Sequence, residues 1–178
     1  MVRAIDVANF FIDRMKDTDD PMTNARLNKF LYFAQGHSLA RLGTPLFDDD
    51  IEAWRYGPVI WEIYNTFRTY GKNPIQTTSG SYSIELFTSE QLTLLNDVIA
   101  KYNHSSTGRL MDLGHEKDGP WDKTYSECAP DCIIQTDCMR LWFEDMHLPN
   151  SVLDTIMNRG TAGYRDSDGY LVLPKDYE

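Results

Sequence analysis

The stretch Leu27-Asn28-Lys29-Phe30-Leu31-Tyr32-Phe33-Ala34-Gln35-Gly36-His37 constrains this chain more than any other. Its apolar residues fall on nearly every side of a helical wheel, and a helix that is apolar almost all round is surrounded by protein. Thr23 is a good N-cap and Gly43 a good stop. The pattern therefore predicts a buried central helix over about 23–42, with the other elements packed around it.

The flanking sequence supplies such elements. Ile5, Ala8, Phe11, Ile12 and Met15 recur at steps of three and four, which predicts an amphipathic helix over 4–15. Ile51 to Tyr56 is rich in β-formers and reads as a short strand. Gly57-Pro58 is expected to restart a helix, with Ile60, Ile63, Tyr64 and Phe67 on its buried face and Gly71 as its stop. Ser81 to Phe87 alternates polar and apolar residues, which predicts a second short strand paired with the first. Thr88 and Gln91 form a capping box ahead of a helix running to Tyr102. A short helix follows over 108–113, then Pro120 in the first turn of another. A helix over 133–146 should place Ile134, Cys138, Leu141 and Trp142 on one face. The tail reads as a brief helix over 152–157 and a hairpin turning at Asp166 to Gly169. The expected fold is mainly α: a compact helical domain over 1–149 with a small two-stranded β element, and a C-terminal extension over 150–178 carrying the helix and hairpin.

Composition narrows the class. The chain has 178 residues, of which 42% are apolar and 12% aromatic, so global disorder is excluded. Only 3 cysteines and 11 glycines exclude disulfide-scaffold and collagen readings. A net charge of −10 disfavours duplex-DNA binding, which needs surplus Lys and Arg. It leaves solubility, a basic protein partner or nucleic-acid mimicry. No segment reads as a membrane span or a secretory signal. Three cysteines without such a signal suggest reduced thiols and a cytoplasmic location.

A search for chemistry finds little. There is no phosphate-binding loop, no nucleophile elbow and no His-Glu-x-x-His. Cys128, Cys132 and Cys138 lack the paired spacing of a zinc site, even with His115 and His147 nearby in the count. Asp48-Asp49-Asp50 reads as a solvated acidic turn rather than a cation site. His37 reads as a satisfied buried histidine. Trp54, Tyr56, Trp61, Tyr64 and Tyr70 form a dense aromatic group that suits either a core or a protein-binding face. His115 lies on the polar turn His115-Glu116-Lys117-Asp118, just ahead of Pro120-Trp121. It is either a loop tie or a functional position. No catalytic residue, metal or cofactor is assigned.

Several of these stretches together resemble the Panacea-domain family, also known as the SocA-like antitoxins or the phage-associated GepA-like family. The first is Leu27 to His37. The second is Gly43-Thr44-Pro45-Leu46-Phe47-Asp48-Asp49-Asp50-Ile51-Glu52-Ala53-Trp54-Arg55-Tyr56-Gly57-Pro58-Val59, followed by Tyr64, Phe67 and Tyr70-Gly71. The third, Leu113-Gly114-His115-Glu116 with Pro120-Trp121, is similar to the family's Leu-Thr-His-x-Glu-x-Pro-Trp. Here Gly114 stands for the usual Thr and the spacer is longer. The resemblance spans about residues 22–146 and omits the tail.

The resemblance implies a mainly helical antitoxin that neutralises a cognate toxin by direct contact, the toxin being encoded by an adjacent gene. It also implies a protease as a further partner, while a host defence protein is the partner in the phage-inhibitor alternative below. The charge and the lack of a spanning segment leave no nucleic acid and no membrane expected. The expected contact residues are Trp54, Tyr56 and Trp61 together with His115, Glu116 and Trp121, because aromatic anchors with a polar rim are typical hot spots. Two alternatives stand beside it. One is a phage-encoded inhibitor or adaptor acting on a host protein. The other, ranked below both, is a small metal-dependent hydrolase using His115, Glu116 and either the cysteines or Asp48 to Asp50. The charge is uneven: residues 1–111 hold 13 acids and 11 bases, residues 112–178 hold 14 acids and 6 bases. The acidity therefore points to a basic partner surface facing the last third, or to solubility alone.

Overall fold

A chain with one helix apolar on all sides must build its core around that helix. This is the arrangement in the computed structural model, which describes residues 2–127, 132–146 and the strand pairs at 164–165 and 171–172. Helix α1 is Ala4–Met15 and α2 is Asn24–Arg41. Then come strands β1 (Glu52–Trp54) and β2 (Gly57–Val59), helix α3 (Trp61–Phe67), α4 (Ser89–Tyr102), α5 (Thr107–Gly114) and α6 (Pro120–Glu127). Strand β3 (Cys132–Ile133), helix α7 (Thr136–Glu144), and strands β4 (Tyr164–Arg165) and β5 (Leu171–Val172) complete the order.

In α2 every residue except Ala25, Ala40 and Arg41 is buried. It packs against α1, α3, α4, α5, α7 and β2. Thr23 caps it, accepting the Arg26 amide, and Gly43 ends it at φ 71°. The surrounding helices meet it through aromatic rings. Phe11 of α1 packs edge-on against Phe30, Tyr102 of α4 stacks on Phe33, and Phe143 of α7 packs edge-on against Tyr32 and His37. Such pairs add a little beyond the area they bury, about 1 kcal/mol each.

Three regions differ from the sequence-based expectation. Gly57-Pro58 does not begin a helix. Gly57 has φ 101° and closes a tight hairpin in which Trp54 faces Gly57 and Ala53 faces Pro58. Pro58 is tolerated because β2 is an edge strand in the antiparallel order β2-β1-β3. Ser81 to Phe87 is not a strand. Ile84–Leu86 form a 3-10 turn held by Ser83, whose hydroxyl accepts the Glu85 amide, and Ile84 and Leu86 face solvent. The strand that does join β1 is β3, so the sheet has three strands, with Glu52 facing Ile133 and Ala53 facing Cys132. This recruitment of Ile133 delays α7 to Thr136. The buried face of α7 is then Met139 and Phe143, while Cys138 and Leu141 are exposed. Tyr64 also departs from its expected buried position, being 39% exposed.

The expected capping box at Thr88 and Gln91 is formed. Cys132 is disulfide-bonded and Cys138 is a free, exposed thiol, which corrects the expectation of three reduced thiols. The chain divides into two units, Met1–Leu148 and Pro149–Glu178. In the second, Tyr164 pairs with Val172 and Arg165 with Leu171 in antiparallel fashion; the turn expected at Asp166 to Gly169 lies outside the described residues. The tail helix expected over 152–157 lies outside the described residues.

Candidate functional site

The polar residues inside α2 build the site's scaffold. A buried polar group has to be hydrogen-bonded. Arg26, His37 and Ser38 bond Asn103, Ser105, Tyr102 and Thr44, while Asn24, Asn28, Lys29 and Gln35 are spent on the segment between residues 46 and 64. Asn28 accepts the Ile60 amide at 2.9 Å and donates to Asn24, whose own side chain donates to the Tyr64 carbonyl at 2.8 Å. Gln35 accepts from the amides of Leu46 and Phe47 and donates to the Phe47 carbonyl. Lys29 donates from Nζ to the Pro58 carbonyl at 2.8 Å. Among the described residues no carboxylate pairs with it, and burial pushes its pKa down to about 7. Together these bonds fix the β1–β2 hairpin and the start of α3 against the central helix.

The hairpin carries an aromatic face. Trp54 lies 5.1 Å from Tyr64 and 5.9 Å from Trp61, ring centre to ring centre. Tyr56 is 66% exposed and Trp61 52%. Beside this face is a groove of about 690 Å³ whose walls include Trp54, Tyr56, Tyr64, Met111 and Tyr125. That volume falls within the usual range for a binding cleft, ~300–1,000 Å³. The charged side chains lining it are Lys29, Arg55 and Arg68, all basic.

The 115–121 turn meets the hairpin from behind. Trp121 donates from Nε1 to the Trp54 carbonyl at 2.8 Å. Its ring packs on His115 at 4.0 Å and stacks on Tyr125 at 4.8 Å. The turn closes through Asp118, at φ 62°, whose amide donates to the Asp122 carboxylate. His115 is half-buried, and burial first, then the charge of Lys29, lowers its pKa. Its Nε2 is buried without a hydrogen-bond partner and, like Lys29 Nζ, borders the space where a side chain on Gly57 would stand.

The six expected contact residues thus have different surroundings. Trp54 and Tyr56 line the groove, and Trp61 is exposed beside Trp54. Glu116 is exposed, whereas Trp121 is buried and ties the turn to β1. His37 is the satisfied histidine expected, with Nε2 2.9 Å from the Tyr102 hydroxyl. Asp49 accepts the Ala4 amide and so holds the start of α1. Among the described residues no three His, Cys, Asp or Glu side chains converge as a metal site. Cys128 and His147 lie outside those residues. No helix among the described residues is long and apolar enough to cross a membrane.

The family model of the antitoxin SocA-like Panacea domain matches residues 27–122. The chain belongs to this family. The Panacea match runs from the first turn of α2 into α6, and so takes in Asn28, Lys29 and Gln35 of the polar scaffold, the hairpin, most of the groove and the Trp121 tie, with Asn24 and Tyr125 just outside it. Antitoxin SocA of Caulobacter vibrioides is 32% identical over 125 residues, which cover 65% of this chain and 66% of that protein, just under two thirds of its length. No solved structure gives a significant match.

Sequence reasoning missed the roles of Asn24, Asn28, Lys29 and Gln35 in this Panacea domain. The signal was present: polar residues inside an otherwise apolar helix imply specific buried partners. It also missed Arg55, Arg68, Met111 and Tyr125, which come together only when α3, α5 and α6 are in place. No spacing rule connects them.

Proposed function

We propose that this chain is the antitoxin of a toxin–antitoxin pair and neutralises a cognate toxin, encoded by an adjacent gene, by direct contact in the cytoplasm. The observation that carries the reading is the aromatic face of exposed Tyr56, Trp61 and Tyr64 around half-buried Trp54, beside the groove, in a chain of a family named for its antitoxins. A surface rich in Trp, Tyr and Arg is the composition of an interface centre rather than of an ordinary solvated face. Neutralisation by contact needs no catalytic group, so the proposal assigns none, and no cofactor. Trp54, Tyr56 and Trp61 are the proposed anchors. Exposed Glu116 and half-buried His115 are proposed as further contacts, and buried Trp121 as the support that holds Trp54 in place.

Co-expression tests the reading. The adjacent gene's product, expressed alone, is expected to arrest growth, and this chain to restore it and co-purify with that product. A Tyr56→Ala/Trp61→Ala double variant, both positions being exposed, should fold normally and restore growth poorly. A harmless neighbour, or full rescue by the double variant, would overturn the proposal.

A further inference from the structure

The groove beside the aromatic face has a charge that the whole molecule does not. The chain carries −10, yet the basic side chains Lys29, Arg55 and Arg68 line the groove, with no carboxylate lining it among the described residues. Arg55 lies over the Tyr56 ring at 5.6 Å, and neither it nor Arg68 forms an ion pair among the described residues. The neighbouring Glu52 is engaged by Trp54, which donates from Nε1 to its carboxylate at 2.7 Å. Most of the remaining walls are aromatic or apolar, Trp54, Tyr64 and Met111 among them, with Asn24 and Asn28 the uncharged polar exceptions.

We infer that the groove is the docking site for an acidic segment of the partner protein. An apolar side chain of the segment enters between Trp54, Tyr64 and Met111, and flanking carboxylates meet Arg55 and Arg68. The inference rests on the reading of this chain as a partner-binding protein and adds the chemistry of the partner. Arginine pairs with carboxylate through two parallel hydrogen bonds, so two arginines on a rim select two acids at a set spacing. Apolar anchoring alone would not require the rim to be cationic. A single-stranded nucleic acid also favours aromatic rings beside cations. It brings a phosphate at every nucleotide, however, and its affinity depends on neutralising many of them. Three basic groups in a chain of net −10 do not supply that. The direction is opposite to the one the bulk charge suggests: the acidic chain presents a basic groove to its partner.

Random twelve-residue peptides displayed on phage, selected on the full chain, test this directly. The enriched peptides should be net acidic with at least one large apolar residue. Resynthesised, they should bind with an affinity that falls at least about tenfold in an Arg55→Glu/Arg68→Glu variant of unchanged melting temperature, and falls as salt rises. Both arginines are exposed, so the variant keeps its fold. Neutral or basic winners, no winners, or acidic winners indifferent to the double charge reversal would overturn the inference. Tight binding of a twenty-nucleotide oligo-dT that is lost in the same variant would also overturn it, by assigning the groove to nucleic acid. The two readings fail separately. If acidic peptides bind but no neighbouring toxin does, the groove assignment stands and the antitoxin reading falls. If the charge-reversed variant still neutralises the toxin fully and the unmodified chain selects no acidic peptides, the antitoxin reading stands and this one falls.

Discussion

Gly36 sits where a methyl group has no room. A Cβ there would overlap the ring of Phe143, and Phe143 is itself boxed in by Tyr32, Phe33 and His37. In an exposed helix Gly→Ala stabilises by about 1 kcal/mol. Here Gly36→Ala should reverse that sign, because overpacking a filled core costs ~1–3 kcal/mol. A net loss of up to about 2 kcal/mol in urea unfolding is expected, and a gain would contradict the close approach of α7 to α2. Lys29 gives a second prediction at this scale. Its amine titrates near 10.5 in the unfolded chain and at about 7 when buried. Between those values the unfolded chain holds more protons, so stability rises with pH and is lost as pH falls toward 7. The gain from pH 7 to pH 9 should be about 2 kcal/mol. Lys29→Met should remove this slope. Parallel slopes for the two chains in urea unfolding at pH 7, 8 and 9 would show that the amine stays charged.

Among elements, α2 positions most of the others. Its apolar residues hold α1, α4 and α7, and its polar residues hold the loop, hairpin and helix start between residues 46 and 64. Gln35→Leu should therefore cost more than its size suggests. It leaves two amides and one carbonyl at Leu46 and Phe47 without their partner, at ~1–3 kcal/mol per buried group before relaxation. A loss of about 2–4 kcal/mol in chemical unfolding is expected. A change within about 0.5 kcal/mol, as at an ordinary surface site, would mean that water replaces the side chain. Elements with their own local signals were legible in advance. Helices α1, α2 and α4 carry apolar periodicity and caps, and they begin within a residue or two of the expected places. The misread elements are those whose state depends on a distant partner. Gly57-Pro58 looks like a helix start until Lys29 takes the Pro58 carbonyl and β1 pairs alongside. Ile133 looks like a helix residue until β1 takes it into the sheet.

For the whole molecule, the division into two units carries its own prediction. The aromatic core joining α1, α2, α4 and α7 lies entirely within Met1–Leu148. A chain ending at Leu148 should unfold in one cooperative step with a melting temperature within roughly 3 °C of the full chain, a shift of under ~1 kcal/mol. Loss of cooperativity would make the tail part of the core unit. Charge shows the same contrast between chain and fold. Counting along the chain places the acidity in the last third and leaves residues 1–111 near neutral. Only folding gathers Lys29 from α2, Arg55 from the hairpin turn and Arg68 from the end of α3 around one groove. The central helix, the helical class and the family blocks are written in the chain alone, because periodicity, caps and contiguous motifs are local properties. The third strand, the inward turn of Trp121 and the basic, aromatic groove exist only in the folded molecule. Each depends on groups far apart in the chain that meet only when the buried polar side chains of α2 find their partners.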